Sequence, residues 1–163
     1  MKNSIIGPLN VGAHGIWMEG IIDDTSLPGT CVEVTPGSVP VLGRQHYRAV
    51  QSGVTGNPRG PVTVLCEDPM QGFTYKQPYV AGTRCFVYQP LPGDEMNVLF
   101  APQQGTGSAD VVTGGERLVI EVGVGVNGMV AVQSVAANAA EFQALERITG
   151  TPDVAFLVYV QKT

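Results

Sequence analysis

The chain has 163 residues, a length that favours one domain, and a formal net charge of −5. Charged residues make up 14% and hydrophobic residues 44%, the opposite of the composition of a disordered chain. The Lys and Arg residues number 9 and form no basic stripe, which excludes the usual electrostatic basis of nucleic-acid binding. The 21 Gly and 12 Pro residues favour an all-β domain with many turns.

The low charge density indicates a surface that is covered in the working state, because interface cores are depleted of charged residues. An ordinary soluble β-domain with a polar, uncharged surface explains the same composition equally well. Composition alone leaves both interpretations open.

The cysteines and the N-terminal sequence indicate the cellular compartment in which the chain is made. Cys31, Cys66 and Cys85 are odd in number and form no CxxC pair, so they predict neither a disulfide framework nor a zinc site. Cys66 and Cys85 lie in strand-like runs, where we expect small buried thiols and a reduced site of synthesis. We expect no signal peptide in MKNSIIGPLNVGAHG, and no run reaches the roughly 18 apolar residues of a membrane span.

Residues 1–29 are predicted to form an extended N-terminal arm, followed by a β-rich domain over residues 30–163. Gly and Pro interrupt the arm every few residues, yet Lys2 is its only charge up to Met18. We expect so apolar a segment to order against its own body, a neighbouring subunit or a larger partner. A first strand packed on its own barrel is the alternative. The candidate contacts with a neighbouring subunit or a larger partner are Ile5, Ile6, Trp17 and Met18.

The next stretches are predicted to be strands, because apolar and β-branched residues alternate between turn-forming residues. They are Thr30–Thr35, His46–Gln51 and Pro61–Glu67. The basic side chains beside the second of them, Arg44, His46 and Arg48, are interpreted as a solvated strand edge.

The stretch Tyr75–Ala101 is predicted to hold two more strands, joined by the sequence PLPG at residues 90–93. Pro92 presets φ for the second position of a turn, and Gly93 accepts the positive φ that a type II turn requires at the third position. We therefore predict a type II turn at Pro92–Gly93 and a structural role for the whole stretch.

Residues 117–134 predict an apolar hairpin whose loop is Asn127–Gly128, a strong two-residue hairpin signal. In this register Val130 lies opposite Gly125 and Val132 opposite Gly123. From residue 122 to residue 140 no side chain is charged, so the hairpin is either covered or a liability for aggregation.

Two strands are predicted after this hairpin. One lies near Glu141–Thr149, and the other is Val154–Lys162, whose continuous apolar character predicts a central strand buried on both faces. The sequence shows no long-period internal repeat.

Sequence patterns of catalysis are absent. His14 and His46 are far apart without further ligands at metal-site spacing, and there is no GxSxG motif. Asp94 and Glu95 are neighbours at a strand start and point to opposite faces, so turn chemistry explains them better than an acid/base pair. The cysteines lack an adjacent His. We expect no enzymatic activity, no metal and no cofactor.

Aromatic side chains on a β-scaffold can bind sugars. The candidates are Trp17, Tyr47, Phe73, Tyr75 and Tyr79. A sugar site also needs convergent polar groups, which a single sequence does not display. A carbohydrate-binding or adhesin-like β-domain is therefore the alternative function.

The run DPMQGFTYKQPYVAGTRCFVYQPLPGDEMNVLFA, residues 68–101, resembles a pattern in small capsid decoration, or head cement, proteins of tailed bacteriophages. The resemblance extends over roughly residues 60–160, and PLPGDE is its sharpest element. Gly-Thr-Arg stands at residues 82–84 where Gly-Asp-Arg is expected, and the N-terminal arm matches no known pattern.

The resemblance implies an all-β fold: a single-domain β-barrel or β-sandwich, jelly-roll-like or β-tulip-like. It also implies a non-enzymatic virion protein, made in the bacterial host cytoplasm and bound to the exterior of an icosahedral capsid as a homotrimer or homodimer. There it would bridge subunits of the major capsid protein, with no direct nucleic acid and no membrane as partner. The low charge and the apolar arm agree with a protein that buries much of its surface in an assembly.

Overall fold

The computed structural model describes residues 14–51, 60–68, 76–101, 111–122, 126–132, 140–151 and 154–163, and in these ranges the chain is all-β. This confirms the predicted fold class. No helix in the same ranges is long and apolar enough to cross a bilayer. The strands are β1 (Ile16–Ile22), β2 (Cys31–Val34), β3 (Gln45–Ala49), β4 (Thr63–Leu65), β5 (Arg84–Gln89), β6 (Glu95–Phe100), β7 (Val111–Val112), β8 (Arg117–Ile120), β9 (Val130–Val132), β10 (Phe142–Ala144), β11 (Ile148–Thr149) and β12 (Phe156–Lys162).

The first half of the chain forms a closed barrel with the strand order β1-β3-β2-β4-β5. β1 is parallel to β3, and the other neighbouring strands are antiparallel. Alternate side chains along the strands point inward and form the interior of this first barrel. They are Ile22, Val32, Tyr47, Leu65, Cys85 and Val87, and Tyr79, from the segment before β5, packs among them.

β1 lies within residues 1–29, which were predicted to form an extended N-terminal arm. Both of its edges are paired within the chain, with β5 from Ile16↔Gln89 to Ile21↔Arg84 and with β3. The alternative, a first strand packed on its own barrel, therefore holds for residues 16–22. Ile5 and Ile6 lie outside the described residues.

The second half forms another closed barrel, with the order β10-β12-β6-β9-β8. Here β6 is parallel to β9, and the other neighbours are antiparallel. β7 and β11 form a separate two-stranded sheet. The predicted last strand is confirmed as β12, which lies between β10 and β6, with Leu157 and Val158 buried on its opposite faces.

The two barrels share both topology and register. Strands β1 to β5 correspond in order to β6, β8, β9, β10 and β12, and each barrel has its parallel pair at the equivalent place. The correspondence extends to individual residue pairs around the ring, so the chain contains the same barrel twice. Matching pairs are Ile22↔Tyr47 with Phe100↔Val130, Val34↔Tyr47 with Ile120↔Val130, and Val64↔Tyr88 with Gln143↔Gln161.

The barrels are joined along a seam that is both apolar and hydrogen-bonded. One buried cluster combines Val64 and Tyr88 of the first barrel with Leu99 of the second. The Leu99 N–H donates to the Gly29 carbonyl at 2.9 Å, and the Cys31 N–H donates to the Gly128 carbonyl at 2.7 Å. Because they share this core, the barrels form one body.

The PLPG link runs between the barrels, since β5 belongs to the first and β6 to the second. The Asp94 N–H donates to the Leu91 carbonyl at 3.0 Å, and Gly93 has a φ of 96°. These values confirm the predicted type II turn at Pro92–Gly93.

The predicted register of the apolar hairpin is wrong. In the structure Val130 lies opposite Ile120 and Val132 opposite Leu118, so the valines pair with bulky residues instead of the glycines before the turn. Residues 123–125, which hold those glycines, lie outside the described residues. The hairpin loop is therefore longer than the two residues that Asn127–Gly128 predicts.

The turn at Asn127–Gly128 does form, closed by a bond from the Met129 N–H to the Val126 carbonyl at 3.0 Å. Gly128 has a φ of 74°, but Asn127 does not take a positive φ, so the turn is not the type I′ turn of a two-residue hairpin. Its position is explained by the seam, because the Gly128 carbonyl accepts the Cys31 N–H of the first barrel.

Replacing Gly128 with alanine tests the seam. An added Cβ would overlap the Cys31 carbonyl oxygen and lie 2.6 Å from Thr30 Cγ2, in addition to the cost of a φ of 74°. Gly37 is the matched control, because its φ is 75° and no atom lies within 4 Å of an added Cβ. We expect Gly37→Ala to lower the free energy of unfolding by about 1 kcal/mol and Gly128→Ala by at least about 3 kcal/mol. Equal losses in urea denaturation would contradict the contact.

Candidate interaction surface

Asp94, directly after the type II turn, accepts four hydrogen bonds through its side chain at the junction between the barrels. It is only 1% exposed. Its Oδ1 accepts the His14 N–H at 2.9 Å, and its Oδ2 accepts the Gly15 N–H at 3.0 Å and the Leu91 N–H at 2.9 Å. The Tyr88 hydroxyl donates to the same Oδ2 at 2.7 Å. The carboxylate thus ties together the residues before β1, the end of β5 and the link.

The main chain beside Asp94 binds the second barrel. Its carbonyl accepts the Lys162 N–H at 2.8 Å, and the Gly93 N–H donates to the Lys162 carbonyl at 2.9 Å. The Lys162 ammonium is itself held by Glu141 at 3.0 Å. Asp94 therefore connects both barrels, through its side chain to the first and through its backbone to the second.

The hydrogen bonds keep this buried carboxyl ionised. Burial alone raises the pKa of Asp94, but the donors from His14, Leu91, Tyr88 and Gly15 outweigh it and hold the pKa below its ordinary value. Burial and the bond to Asp94 raise the pKa of Tyr88 to about 12, so its hydroxyl remains a donor.

Asp94 and Glu95 do not face each other, in agreement with their predicted opposite directions. Asp94 is bound by Tyr88, whereas Glu95 accepts a hydrogen bond from the Tyr159 hydroxyl. That bond, with burial second, raises the pKa of Tyr159 to about 12. The two carboxylates therefore serve separate hydrogen-bonded sites.

Exposed apolar side chains surround the Asp94 site. Ile16 is 54% exposed, Trp17 53% and Leu91 38%. Ile16 and Trp17 directly follow the Gly15 donor, Leu91 is itself a donor to Asp94, and the Trp17 ring packs on Tyr88 with centroids 5.3 Å apart. We call Trp17 and Leu91 the junction patch; Ile16 precedes Trp17 on β1 and therefore points to the opposite face of the strand. Because its backbone is fixed through Asp94, the patch is an ordered apolar surface, the kind that marks interaction sites.

The structure separates the predicted contact residues. Trp17 lies on the outer face of β1, whereas Met18 faces the barrel interior, where the Tyr47 hydroxyl lies 3.7 Å from its Sδ. Strand alternation would have placed these neighbours on opposite faces had β1 been recognised. Sequence reasoning missed Ile16 and Leu91, which are apolar residues in segments without visible periodicity.

The aromatic sugar-binding candidates also separate. Tyr47 and Tyr79 are buried inside the first barrel, and the Tyr79 hydroxyl donates to the Cys66 carbonyl at 3.0 Å. Phe73 and Tyr75 lie outside the described residues. Trp17 is the candidate that the structure places on the surface.

The predicted solvated basic edge is instead paired with acidic side chains. Arg44 Nε lies 2.6 Å from Glu19 Oε1, and the Arg48 guanidinium lies 3.0 Å from the buried Glu33 carboxylate. His46 Nδ1 lies 2.7 Å from an Asp23 oxygen. These pairs tie β3 to β1 and β2, so the basic residues have a structural role.

Residues that bear on metal or thiol chemistry do not converge within the described ranges. No group of three or more His, Cys, Asp and Glu side chains is placed there to hold a metal ion. Burial raises the pKa of each thiol, so the cysteines are protonated at neutral pH. This confirms the prediction of buried thiols at Cys66 and Cys85 and adds Cys31.

No protein-family model and no curated protein matches the sequence. The fold is similar to that of a solved phage structure. That structure is the head fiber gp8.5 N base in bacteriophage phi29, with a TM-score of 0.52 and 10% sequence identity. The match covers 92% of this chain and 95% of that one, so it includes both barrels. At this identity the similarity shows the fold.

Replacing Asp94 with asparagine is expected to loosen the junction. The amide oxygen is a weaker acceptor than a carboxylate oxygen, and the amide NH2 group would face N–H groups that donate to Asp94 in the wild type. We therefore expect the free energy of unfolding at neutral pH to fall by about 3 kcal/mol. Tyr88→Phe, which removes one donor and keeps the carboxylate, should cost only about 1–2 kcal/mol. Urea denaturation measures both changes.

The same pair of variants gives a pH test. Because the folded-state pKa of Asp94 is lowered, its stabilisation is complete above the unfolded-state pKa of about 3.9 and is lost as the pH falls through the folded value. The difference in stability between the wild type and Asp94→Asn should therefore shrink in acid, while Tyr88→Phe should keep most of the wild-type pH dependence. A difference that stays constant with pH would contradict this assignment.

Proposed function

We propose that the chain is a structural protein of a phage virion, which binds the outer surface of an icosahedral capsid and stabilises contacts between major capsid protein subunits. The PLPGDE resemblance supports a capsid decoration protein, and the similarity of fold to a phage head fiber base supports a virion role. In this proposal the chain has no catalytic role and uses no cofactor.

The junction patch is the observation that carries the proposal. Trp17 presents a large apolar side chain to solvent, and Trp is enriched among residues that dominate binding energy. Asp94 orders the patch before binding, which lowers the entropic cost of association. A fixed apolar surface of this kind suits a static clamp between shell subunits.

Binding in many copies completes the proposal. A homotrimer or homodimer at a symmetry axis of the shell would engage several subunits together, so a modest affinity per contact would be sufficient. Its place is the exterior of the capsid, after synthesis in the bacterial host cytoplasm, and neither nucleic acid nor membrane is a direct partner.

Alanine at Trp17 tests the contact. We expect Trp17→Ala to weaken binding to shells assembled from the major capsid protein of the same genome by at least about tenfold, because it removes the largest apolar side chain of the junction patch. Val154→Ala is the matched control, since Val154 is 54% exposed but lies just before β12 of the second barrel. Co-sedimentation with shells measures both, and an unchanged affinity of Trp17→Ala would contradict the proposed contact.

The N-terminal residues provide a separate test. A segment of 13 residues spans at most about 45 Å, enough to reach a neighbouring subunit, and it contains Ile5 and Ile6. We expect deletion of residues 2–13 to weaken shell binding and to leave the melting temperature unchanged. The deletion must end before His14, because His14 and Gly15 bind Asp94. Full binding by the truncated chain would refute a role for this segment.

The half-exposed Trp17 also favours the alternative of a carbohydrate-binding or adhesin-like β-domain. A glycan array probed with the wild type and with Trp17→Ala distinguishes the two functions. Glycan binding that is lost in the variant, together with no binding to shells, would favour the alternative.

A further inference from the structure

Two arginines flank an acidic side chain on the outer face of the first barrel, next to Trp17. Glu19 follows Trp17 by two positions on β1, so the two side chains share a face and lie about 7 Å apart along the strand. Arg84 reaches Glu19 from β5, which pairs with one edge of β1. Arg44 reaches it from the residue before β3, which pairs with the other edge. We call Arg44 and Arg84 the arginine pair.

The arginine pair shares a single carboxylate. Arg44 Nε lies 2.6 Å from Glu19 Oε1, and Arg84 Nε lies 3.1 Å from the same oxygen. Within the described part of the chain neither arginine is paired with a second acidic side chain. Two cations and one anion leave one positive charge. The arginine side chains are 37% and 47% exposed, so this charge faces solvent.

The neighbouring acidic groups have partners of their own. Asp23 lies 2.7 Å from His46 Nδ1. The buried Glu33 is paired with Arg48 at 3.0 Å. Glu19 is therefore the acidic group that contacts the arginine pair. In a chain with a net charge of −5, a positive site beside Trp17 is an exception to the overall composition.

The guanidinium groups are held in place before a partner binds. Glu19 fixes both of them, and the guanidinium carbon of Arg84 lies 5.0 Å from the centroid of the Phe86 ring. Each guanidinium has five N–H donors in a planar fork that matches the two oxygens of a carboxylate. A donor that is already ordered loses less conformational freedom on binding.

We propose that the arginine pair binds a carboxylate group of the major capsid protein, next to the apolar site that receives Trp17. The inference rests on the proposed function and names the chemistry of a second contact in the same interface. The two contacts are adjacent on one face of β1, so one partner surface meets both. Arg and Trp are both enriched among the residues that dominate binding energy.

A protein carboxylate fits this site better than a nucleic-acid backbone does. Nucleic-acid binding neutralises several phosphates together, whereas this site offers one net positive charge. The large apolar side chain of Trp17 beside the charge is typical of the core of a protein–protein interface.

Arg84→Gln tests the contact. It removes one charge from an exposed ion pair, which contributes little to stability, so we expect an unchanged melting temperature. Affinity for shells assembled from the major capsid protein of the same genome should fall by at least about tenfold at about 0.05 M salt and by much less at about 0.5 M, because salt screens exposed charges. Arg117→Gln is the matched control, since Arg117 is an exposed arginine of the second barrel and its loss changes the net charge equally. We expect this control to bind like the wild type.

Glu19→Gln distinguishes binding from a purely structural role. Glu19→Gln and Arg84→Gln break the same ion pair, but the first raises the positive charge of the site and the second lowers it. We expect Glu19→Gln to bind shells at least as tightly as the wild type at low salt. Equal weakening in the two variants would overturn the inference, because the arginine would then act through the fold.

The other outcomes distinguish this inference from the function on which it rests. Wild-type affinity in Arg84→Gln, with weaker binding in Trp17→Ala, would overturn the carboxylate contact and leave the proposed function in place. Absence of shell binding by the wild type would overturn both. If Arg84→Gln dissociated a wild-type oligomer in analytical ultracentrifugation but bound shells normally, the carboxylate would belong to a second copy and the inference would be wrong.

Discussion

The buried carboxylate of Asp94 is the interaction on which the arrangement of the molecule depends. It lies where the chain passes from one closed barrel to the other. No strand of one barrel pairs with a strand of the other among the described residues, so strand pairing does not connect them here. The Asp94 side chain binds the first barrel and its backbone the second. Removing a partner from a buried charge costs more than the bond itself contributes, because the charge is left without solvation. The donors and the carboxylate therefore hold one another in place.

Local sequence chemistry predicted the features that depend on neighbouring residues. The type II turn at Pro92–Gly93 follows from the φ preferences of its own two residues, and alternation located most strands. The hairpin register failed because the position of Gly128 is set by Cys31, a residue far away in sequence. The role of Asp94 was missed for the same reason, since its donor His14 is separated from it by 80 positions.

The candidate surface was predictable only in part. Trp17 was identified from its apolar character, but Met18 was grouped with it because the segment lacked visible alternation, and pairing with β3 and β5 is what makes it a strand. Arg44 and Arg84 gave no signal as a pair, because they are far apart in sequence and meet at Glu19 only in the folded chain.

The two barrels share one fold, yet the sequence shows no repeat. Closing the ring constrains which side chains point inward but not which apolar residue fills each place, so Ile22 corresponds to Phe100 and Tyr47 to Val130. The outer faces are less constrained still. The first barrel has Val64 in the seam, where the second has the partly exposed Gln143.

This difference between the outer faces limits the assembly. A third barrel stacked in the same way would have to bury the Gln143 amide and the Arg117 guanidinium, and burying such groups without partners is costly. Terminal units of repeat proteins are closed by polar faces in the same manner. The junction patch belongs to the first barrel and its link, so a partner that binds through it meets that half of the molecule.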